Sequence, residues 1–450
     1  MTKQFDVLFI GSGQGAWNAA LPLSAAGKKV GMIERDKILG VCTNYGCNPK
    51  IILDGPIKVM EDAELFGPVG LTSQFKLNWQ QLMDHKNKII GPLPVMMEKN
   101  LQKAGVEIIR GEAQFVDAST VAVNNEHYTA DQIVIAAGHR PASLNIPGEQ
   151  YMKTSNEFLY LPELPERIVF IGAGYVSMEL ASISVKTGAE VHVVQSSDHI
   201  LNGFHQPYAN KMIDKMKQEG IHFHFNDHVT GVEQQGSELA VTTEKGLHLT
   251  AGLVINATGR VPNADQLNLE AAGVEYNKHG IVVNDRLQTS QPHIYATGDI
   301  LDKTQPRLTP TAVFEAKYLA GSLLGTINAP IQYPPIATIA FTVPRIAQIG
   351  ISIEEAEQSS DYKVKPVELG KQWDFAGRND TEAHLTLVYD QENKLVGAAA
   401  YSQEALEIIN SLTPVITLGL TAEDADKLIY AFPSFETMIP SYLHQANQAQ

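Results

Sequence analysis

The sequence predicts an α/β protein of 450 residues: two parallel-sheet domains followed by an α+β domain. Three observations predict it. Two distant stretches repeat one strand–turn–helix–strand pattern. Three further apolar strands end in the same small-residue-and-glycine signature. From about Tyr333 the pattern changes to proline-punctuated strands. One hydrophobic core does not organise a chain this long, so about two to four domains are expected.

The first repeat is FDVLFIGSGQGAWNAALPLSAAGKKVGMIER, Phe5 to Arg35, and the second is RIVFIGAGYVSMELASISVKTGAEVHVVQSS, Arg167 to Ser197. Each has an apolar run, a glycine-rich turn, a segment of helical period, a glycine and a second apolar run. That is a β-α-β unit with a dinucleotide fingerprint, so both domains read as Rossmann-like. The fingerprints are Gly11-x-Gly13-x-x-Ala16 and Gly172-x-Gly174-x-x-Ser177. The first glycine permits the tight turn and the second lets backbone approach a pyrophosphate. The third position must be small so that helix and strand pack, and the phosphates then meet free N–H groups at a helix N-terminus.

The residue closing the second strand separates the two ligands. Glu34 in the first unit suits a ribose 2′-hydroxyl. In the second unit the position is Gln195, with neither a carboxylate to repel a 2′-phosphate nor an arginine to bind one.

The strands in IVIAAGHRP and LVINATGRVP end at Gly138 and Gly259, and HIYATGDI ends at Gly298-Asp299. Each is expected to return the chain to the edge of a nucleotide-binding sheet. Thr309-Pro310 reads as the start of a helix running through Leu324. His384–Ser402 reads as a hairpin, and EALEIINSLTPVITLGL as a helix that Pro414 should break or kink. The expected domains are residues 1–150 and 269–332 for the first dinucleotide, 151–268 for the second, and 333–450 for association.

A net charge of −16 disfavours a nucleic-acid partner, which needs a concentrated basic surface. No apolar run is long enough to span a bilayer, and MTKQFDVLFI has no signal-peptide pattern, so a cytoplasmic enzyme is expected, with no membrane partner. His222 and His224 in IHFHF alternate and so share one strand face. With no cysteine nearby and no further ligand evident, they read as solvated strand histidines, a metal pair being the second reading, and no metal site is assigned.

The chain holds two cysteines, both in GVCTNYGCNPK. Two cysteines do not staple 450 residues, and they read either as inert core thiols or as a reactive pair. Pro49 suits the first turn of a helix, which places Cys47 at a helix N-terminus, where thiolate is favoured.

Together these residues resemble the pyridine nucleotide–disulfide oxidoreductases, the family of glutathione reductase, dihydrolipoamide dehydrogenase and mercuric reductase. The resemblance covers nearly the whole chain, in the family's order. It implies an FAD domain, an inserted NAD(P)H domain, the return of the FAD domain and a C-terminal dimerisation domain, hence a homodimer. It implies FAD contacts for Gly11, Gly13, Ala16, Glu34, Gly138, Asp299, Thr309 and Ala312, and NAD(P)H contacts for Gly172, Gly174, Tyr175, Gln195 and Gly259. It implies that Cys42 and Cys47 form the redox-active disulfide, Cys47 facing the flavin and Cys42 attacking substrate, with Lys50 near the flavin and paired to Glu179.

The resemblance fails at one place that matters chemically. The family's His-Pro-Thr-x-x-Glu, which supplies a proton-exchanging histidine from the partner subunit, is here AFPSFETMIP. Phe432 holds the histidine position, Thr437 the glutamate position, and His444 lies beyond. A positioned imidazole contributes roughly 10²–10⁴-fold to such a step. A smaller departure is Leu39-Gly40-Val41, where the family has Gly-Gly-Thr.

The expected activity is therefore that of an FAD-dependent NAD(P)H:disulfide oxidoreductase acting on a small-molecule disulfide or related acceptor, with NADPH favoured slightly over NADH. The alternative is reduction of a non-disulfide acceptor, a quinone or metal ion. A redox-sensing flavoprotein with slow turnover ranks third.

Overall fold

Apolar residues without polar alternation make FDVLFI a strand buried on both faces, and the rest of the first sheet is built around it. A computed structural model of the chain describes residues 2–72 and 75–445. In it the strand Lys3–Ile10 pairs in parallel with Val30–Glu34 on one side and Glu126–Ile135 on the other. Glu107–Arg110 extends the sheet beyond Val30–Glu34, and Ile294–Ala296 adds to the C-terminal half of Glu126–Ile135. Leu8, Phe9, Ile133, Val134 and Ile294 are fully buried at its centre, each contributing about 1.5–3 kcal/mol.

Register matters for the site. Ile10 lies opposite Ile33 and Ile135, and Ala296 opposite Ile135, so four parallel strands end level. The crevice beyond their carboxyl ends is where open α/β sheets bind ligands.

The second unit repeats the plan in a five-stranded parallel sheet ordered Ile221–Phe225, Glu190–Gln195, Arg167–Ile171, Leu253–Asn256, Lys153–Thr154. A three-stranded meander, residues 229–251, covers one face. An antiparallel ribbon, His139–Pro141 against Arg260–Pro262, carries the chain between the two sheets. Residues from Thr338 to Ser402 form a five-stranded antiparallel sheet backed by the helix Ala405–Leu418.

Two expectations need correction. Ile133–Ile135 and Leu253–Asn256 are not edge strands, since each has neighbours on both sides; of the three, Ile294–Ala296 alone has a single neighbour. Burial on both faces is what an interior parallel strand requires. Pro414 does not end its helix, which runs unbroken from Ala405 to Leu418. Its apolar face packs on the sheet through Ile408, Leu412 and Val415, and only the N–H that would reach the Asn410 carbonyl is lost. Tertiary burial outweighs the roughly 3 kcal/mol an interior proline costs.

One helix, Cys47–Phe66, is tied by ion pairs to both the second unit and the C-terminal sheet. Lys50 meets Glu179 of the second unit at 3.3 Å, Glu61 pairs with Lys186 of the same unit, and Asp54 pairs with Arg345 of the C-terminal sheet at 2.5 Å. Buried pairs of this kind add little net stability, but breaking one strands a charge at a cost of about 3–5 kcal/mol. They fix where this helix begins. No helix among the described residues is long and apolar enough to cross a membrane.

Candidate active site

The path to the cysteines begins with strain. Leu39 adopts φ 79°, a left-handed conformation that a leucine rarely takes, and Gly40 follows at φ 62°. Such a residue costs about 1–3 kcal/mol. The turn where Leu39-Gly40-Val41 replaces the expected glycine pair thus keeps a glycine-like path, with the Leu39 side chain buried in the first core. A Cβ on Gly40 would come within 2.9 Å of the Gly13 Cα, so the two turns lie backbone to backbone.

Cys42 sits in a short helical turn, Gly40–Tyr45, and Cys47 opens the helix Cys47–Phe66 with Pro49 in its first turn. The turn between them is held from outside. The Tyr45 hydroxyl donates to Asp36 at 2.8 Å, and the Tyr160 hydroxyl donates to the Asn44 carbonyl at 2.8 Å.

Both cysteines are free thiols. The Cys42 thiol points to the Asn48 Oδ1 at 4.0 Å, and the neighbouring Cys42 thiol is the main influence lowering the Cys47 pKa to about 6, against the opposing effect of desolvation. The Thr309 hydroxyl, 3.4 Å from the Cys47 sulfur, and the Lys50 charge act in the same direction. Cys42 is pushed up, first by the neighbouring Cys47 and then by burial. The pair therefore keeps one proton near neutrality, on Cys42, and titrates as a unit.

Lys50 and Glu179 form the wall beside Cys47. The Lys50 ammonium lies 3.4 Å from the centre of the Phe341 ring, and Glu179 accepts the Phe341 N–H at 2.9 Å as well as the Lys50 ammonium. Burial raises the Glu179 pKa, and Lys50 opposes the shift. Tyr175, one turn earlier on the same helix, is pushed up to about 12, chiefly by burial and then by the Glu179 charge.

A cavity of about 1270 Å³ joins these groups, larger than the roughly 300–1,000 Å³ of a site for one drug-sized ligand. Gly11, Gly13, Glu34, Cys42, Cys47, Lys50, Gly138, Tyr175, Glu179, Asp299, Thr309 and Ala312 line it. Ala16, Gly172, Gly174, Gln195 and Gly259 do not. Ala16 is fully buried under the first turn and packs rather than binds. The other four belong to the second fingerprint and its crossover, where Gly172, at φ 96°, has room for no Cβ: one would lie 2.7 Å from the Ala257 carbonyl oxygen.

The cavity's residues fit FAD. Its floor is bare backbone at Gly11–Gly13, ending in the helix Gln14–Ala25, whose first N–H groups are unpaired by any capping side chain. Glu34 is buried at the sheet end, where it already takes the Ser12 N–H at 3.1 Å, the Ser12 hydroxyl and the Asp36 N–H at 2.8 Å. A carboxylate has about four acceptor sites, so capacity remains for a ribose hydroxyl. The Thr297 hydroxyl, on the cavity wall, is buried without a hydrogen-bond partner. Asp299 follows on the turn Gly298–Ile300; burial raises its pKa, and Lys303, Arg260 and Arg307 oppose the shift.

The sequence did not point to everything here. Glu315 is fully buried and takes the Gly298 N–H at 2.7 Å, the Lys303 ammonium at 2.5 Å and the Tyr333 hydroxyl at 2.8 Å. It fixes the Asp299 turn to the helix Thr309–Leu323 that begins beside Cys47. A lone carboxylate inside TAVFEAKYLA was a readable signal. Phe341, which closes over Lys50 from the C-terminal sheet, left no local signal.

Among the described residues of the C-terminal segment, the position expected for the imidazole is held by Phe432. Phe432 is 75% exposed and its ring packs against Trp373 at 5.9 Å. Glu436 is engaged by Ser411 at 2.6 Å, Thr437 bonds back to Ser434, and His444 pairs with Asp426 at 2.9 Å, outside the cavity.

Residues 5–316 match the family model described as pyridine nucleotide-disulphide oxidoreductase, and residues 336–441 match that family's dimerisation domain. The chain is 33% identical to a glutathione reductase from Nostoc sp., over 96% of this chain and 98% of that one. It is 32% identical to a dihydrolipoyl dehydrogenase from Bacillus subtilis, over 95% and 93%. It is also 32% identical to a mercuric reductase from Staphylococcus aureus, over 96% and 80%. Its fold matches that of the HOCl-induced flavoprotein disulfide reductase RclA from Escherichia coli, with a TM-score of 0.87 at 23% identity, covering 98% of this chain and all of that one. The chain belongs to the pyridine nucleotide-disulphide oxidoreductases, flavin- and pyridine nucleotide-dependent enzymes.

Proposed function

From that membership we propose that the chain is a homodimeric, NADPH-preferring oxidoreductase that uses Cys42 and Cys47 to reduce a small disulfide or related acceptor. The observation that carries this reading is the Cys47 thiol, held at a helix start within 3.4 Å of the Thr309 hydroxyl and in the field of Lys50, on a cavity shared with Glu34 and Asp299. FAD, when bound there, supplies the two-electron link between nicotinamide and dithiol.

The thiols' own chemistry follows from the shared proton. Cys42 passes its proton to the neighbouring Cys47 thiolate and attacks one sulfur of the acceptor disulfide. The acceptor S–S bond breaks, and the leaving thiolate takes the proton from Cys47. The Cys47 thiolate then attacks Cys42 in the mixed disulfide and expels the second thiolate, which takes a proton from solvent. The result is a Cys42–Cys47 disulfide and two acceptor thiols. The pair thus does internally part of what an imidazole would do, and it favours acceptors whose thiolates leave easily.

Phe432 supports a second reading, in which the acceptor is a quinone or metal ion that needs no proton at a leaving sulfur. The Cys42→Ser variant separates the two. On the first reading NADPH-dependent disulfide reduction disappears while ferricyanide reduction survives. A variant that still reduces the wild-type acceptor at the wild-type rate refutes it. NADPH preference rests on Gln195, whose Oε1 takes the Ala173 N–H at 3.1 Å and whose amide donates to Ser197 at 2.8 Å, leaving no carboxylate at the ribose end.

A further inference from the structure

The helix Trp79–Ile90 carries a lysine that the chemistry above leaves unused. Lys86 is fully buried. Its ammonium donates to the Leu159 carbonyl at 2.6 Å, and among the described residues no carboxylate offsets its charge. Burial, then the nearby Lys37 charge, lowers its pKa to about 8, which leaves it an ammonium at pH 7. A buried charge without a counter-ion is costly, so what it touches matters. The same ammonium lies 3.9 Å from the centre of the Tyr160 ring, and the Lys37 ammonium lies 4.8 Å from that ring. A cation over a tyrosine face is attracted by the ring quadrupole, more strongly where water is excluded.

Two turns earlier on the same helix, the Trp79 indole N–H donates to the Leu161 carbonyl at 2.9 Å. Positions seven apart share a helix face, so one face grips the backbone on both sides of Tyr160. Tyr160 itself reaches the redox turn. Its hydroxyl donates to the Asn44 carbonyl at 2.8 Å, and its ring meets the Tyr45 ring edge-on at 5.9 Å. Asn44 and Tyr45 are the middle two residues of the stretch from Cys42 to Cys47. The Asn44 amide in turn donates to the Ile38 and Gly40 carbonyls, each at 2.9 Å. The turn that joins the two thiols is thus tethered at its centre by a segment 116 positions away, and Lys86 seats the tether.

Given the dithiol chemistry proposed above, on which this rests, we propose that Lys86 is a positioning residue for the Cys42–Cys47 couple: its ammonium seats Tyr160, and Tyr160 holds the Asn44 carbonyl so that the two sulfurs stay within reach of each other. A fixed turn raises the effective concentration of each thiol at the other. That favours the disulfide over the dithiol, and it speeds the attack of Cys47 on Cys42 in a mixed disulfide.

The test equilibrates the flavin-loaded enzyme with mixtures of reduced and oxidised glutathione, then traps the free thiols by alkylation and counts them by mass. In this exchange Cys42 and Cys47 give two electrons and two protons to glutathione disulfide, whose S–S bond breaks to leave two glutathione thiols. Nicotinamide takes no part, so a failure of the positioning role is read separately from a failure of electrons to reach the cysteines. Lys86→Met keeps the length of the side chain and removes its charge. It should shift the equilibrium toward the dithiol by about tenfold, about 30 mV, and lower kcat on a disulfide with KM little changed. Tyr160→Phe, which removes one hydroxyl from a half-buried ring, should do the same and serves if Lys86→Met does not fold. The double variant should shift no further than either single one, because both act through one contact. A glutathione equilibrium that stays at the wild-type value in Lys86→Met or in Tyr160→Phe, even where the thermal midpoint falls, overturns the proposal, and so do shifts that add in the double variant.

Discussion

The turn that carries Cys42 and Cys47 and the segment that carries Phe432 are the two halves of one expected active site, and they are built very differently. Tyr45, Tyr160, Lys50, Glu179 and Thr309 all engage the first. The second is an exposed apolar strip: Ile429 is 99% exposed, and Phe432 touches Trp373. On the proposed reading, the chain keeps the thiol half of the site and lacks the imidazole half. The redox turn sets its thiolate with local means, a helix start, a hydroxyl, an ammonium and the second thiol. On the proposed reading the first leaving thiolate takes its proton from Cys47, and at the position of the expected imidazole the chain has the Phe432 ring.

The comparison breaks most sharply at Cys42. Cys42→Ser should lower disulfide turnover by about 10³-fold or more, because the attacking sulfur is gone. Steady-state rates with a disulfide and with ferricyanide check it, the latter changing little.

Rebuilding the weaker half should sharpen the contrast. Phe432→His should raise disulfide turnover toward the lower end of the roughly 10²–10⁴-fold that a positioned imidazole provides. The full gain needs an orienting carboxylate, and Glu436 is already engaged by Ser411. The kcat on a common small disulfide is the readout.

The pH dependence comes next. Cys47 is lowered to about 6, so its thiolate is present above that pH and lost as pH falls through it. Disulfide turnover should be flat from about pH 7 to 9 and fall about tenfold per unit below 6. An unperturbed thiol would still be gaining activity between pH 7 and 9. A kcat/KM profile decides.

The smallest effect lies outside both halves. Gln195→Glu places a carboxylate where a 2′-phosphate would sit and should shift the kcat/KM ratio toward NADH by about tenfold.

Local signals in the sequence made much of this readable. The glycines of each fingerprint follow an apolar strand and open a helix, and Pro49 marks the start of the helix at Cys47. These are features of a few consecutive residues. The remainder depends on contacts between distant segments. Phe341 reaches Lys50 across 291 positions of chain, and no pattern within its own strand announces it. Pro414 read as a breaker because propensity is local, whereas the sheet beneath its helix is not. That His192 joins His222 and His224 was invisible until the strand register brought it beside His222. Glu315 lies between these cases: its charge on an apolar helix was visible, its three partners were not.

The most direct test of the account is an anaerobic titration of the purified, FAD-loaded enzyme with NADPH, counting electrons and following the spectrum. The account predicts uptake of four electrons per FAD, with a long-wavelength thiolate-to-flavin band at the two-electron stage that disappears in Cys47→Ser. Uptake of two electrons with plain bleaching would contradict it, removing Cys42 and Cys47 from the electron path.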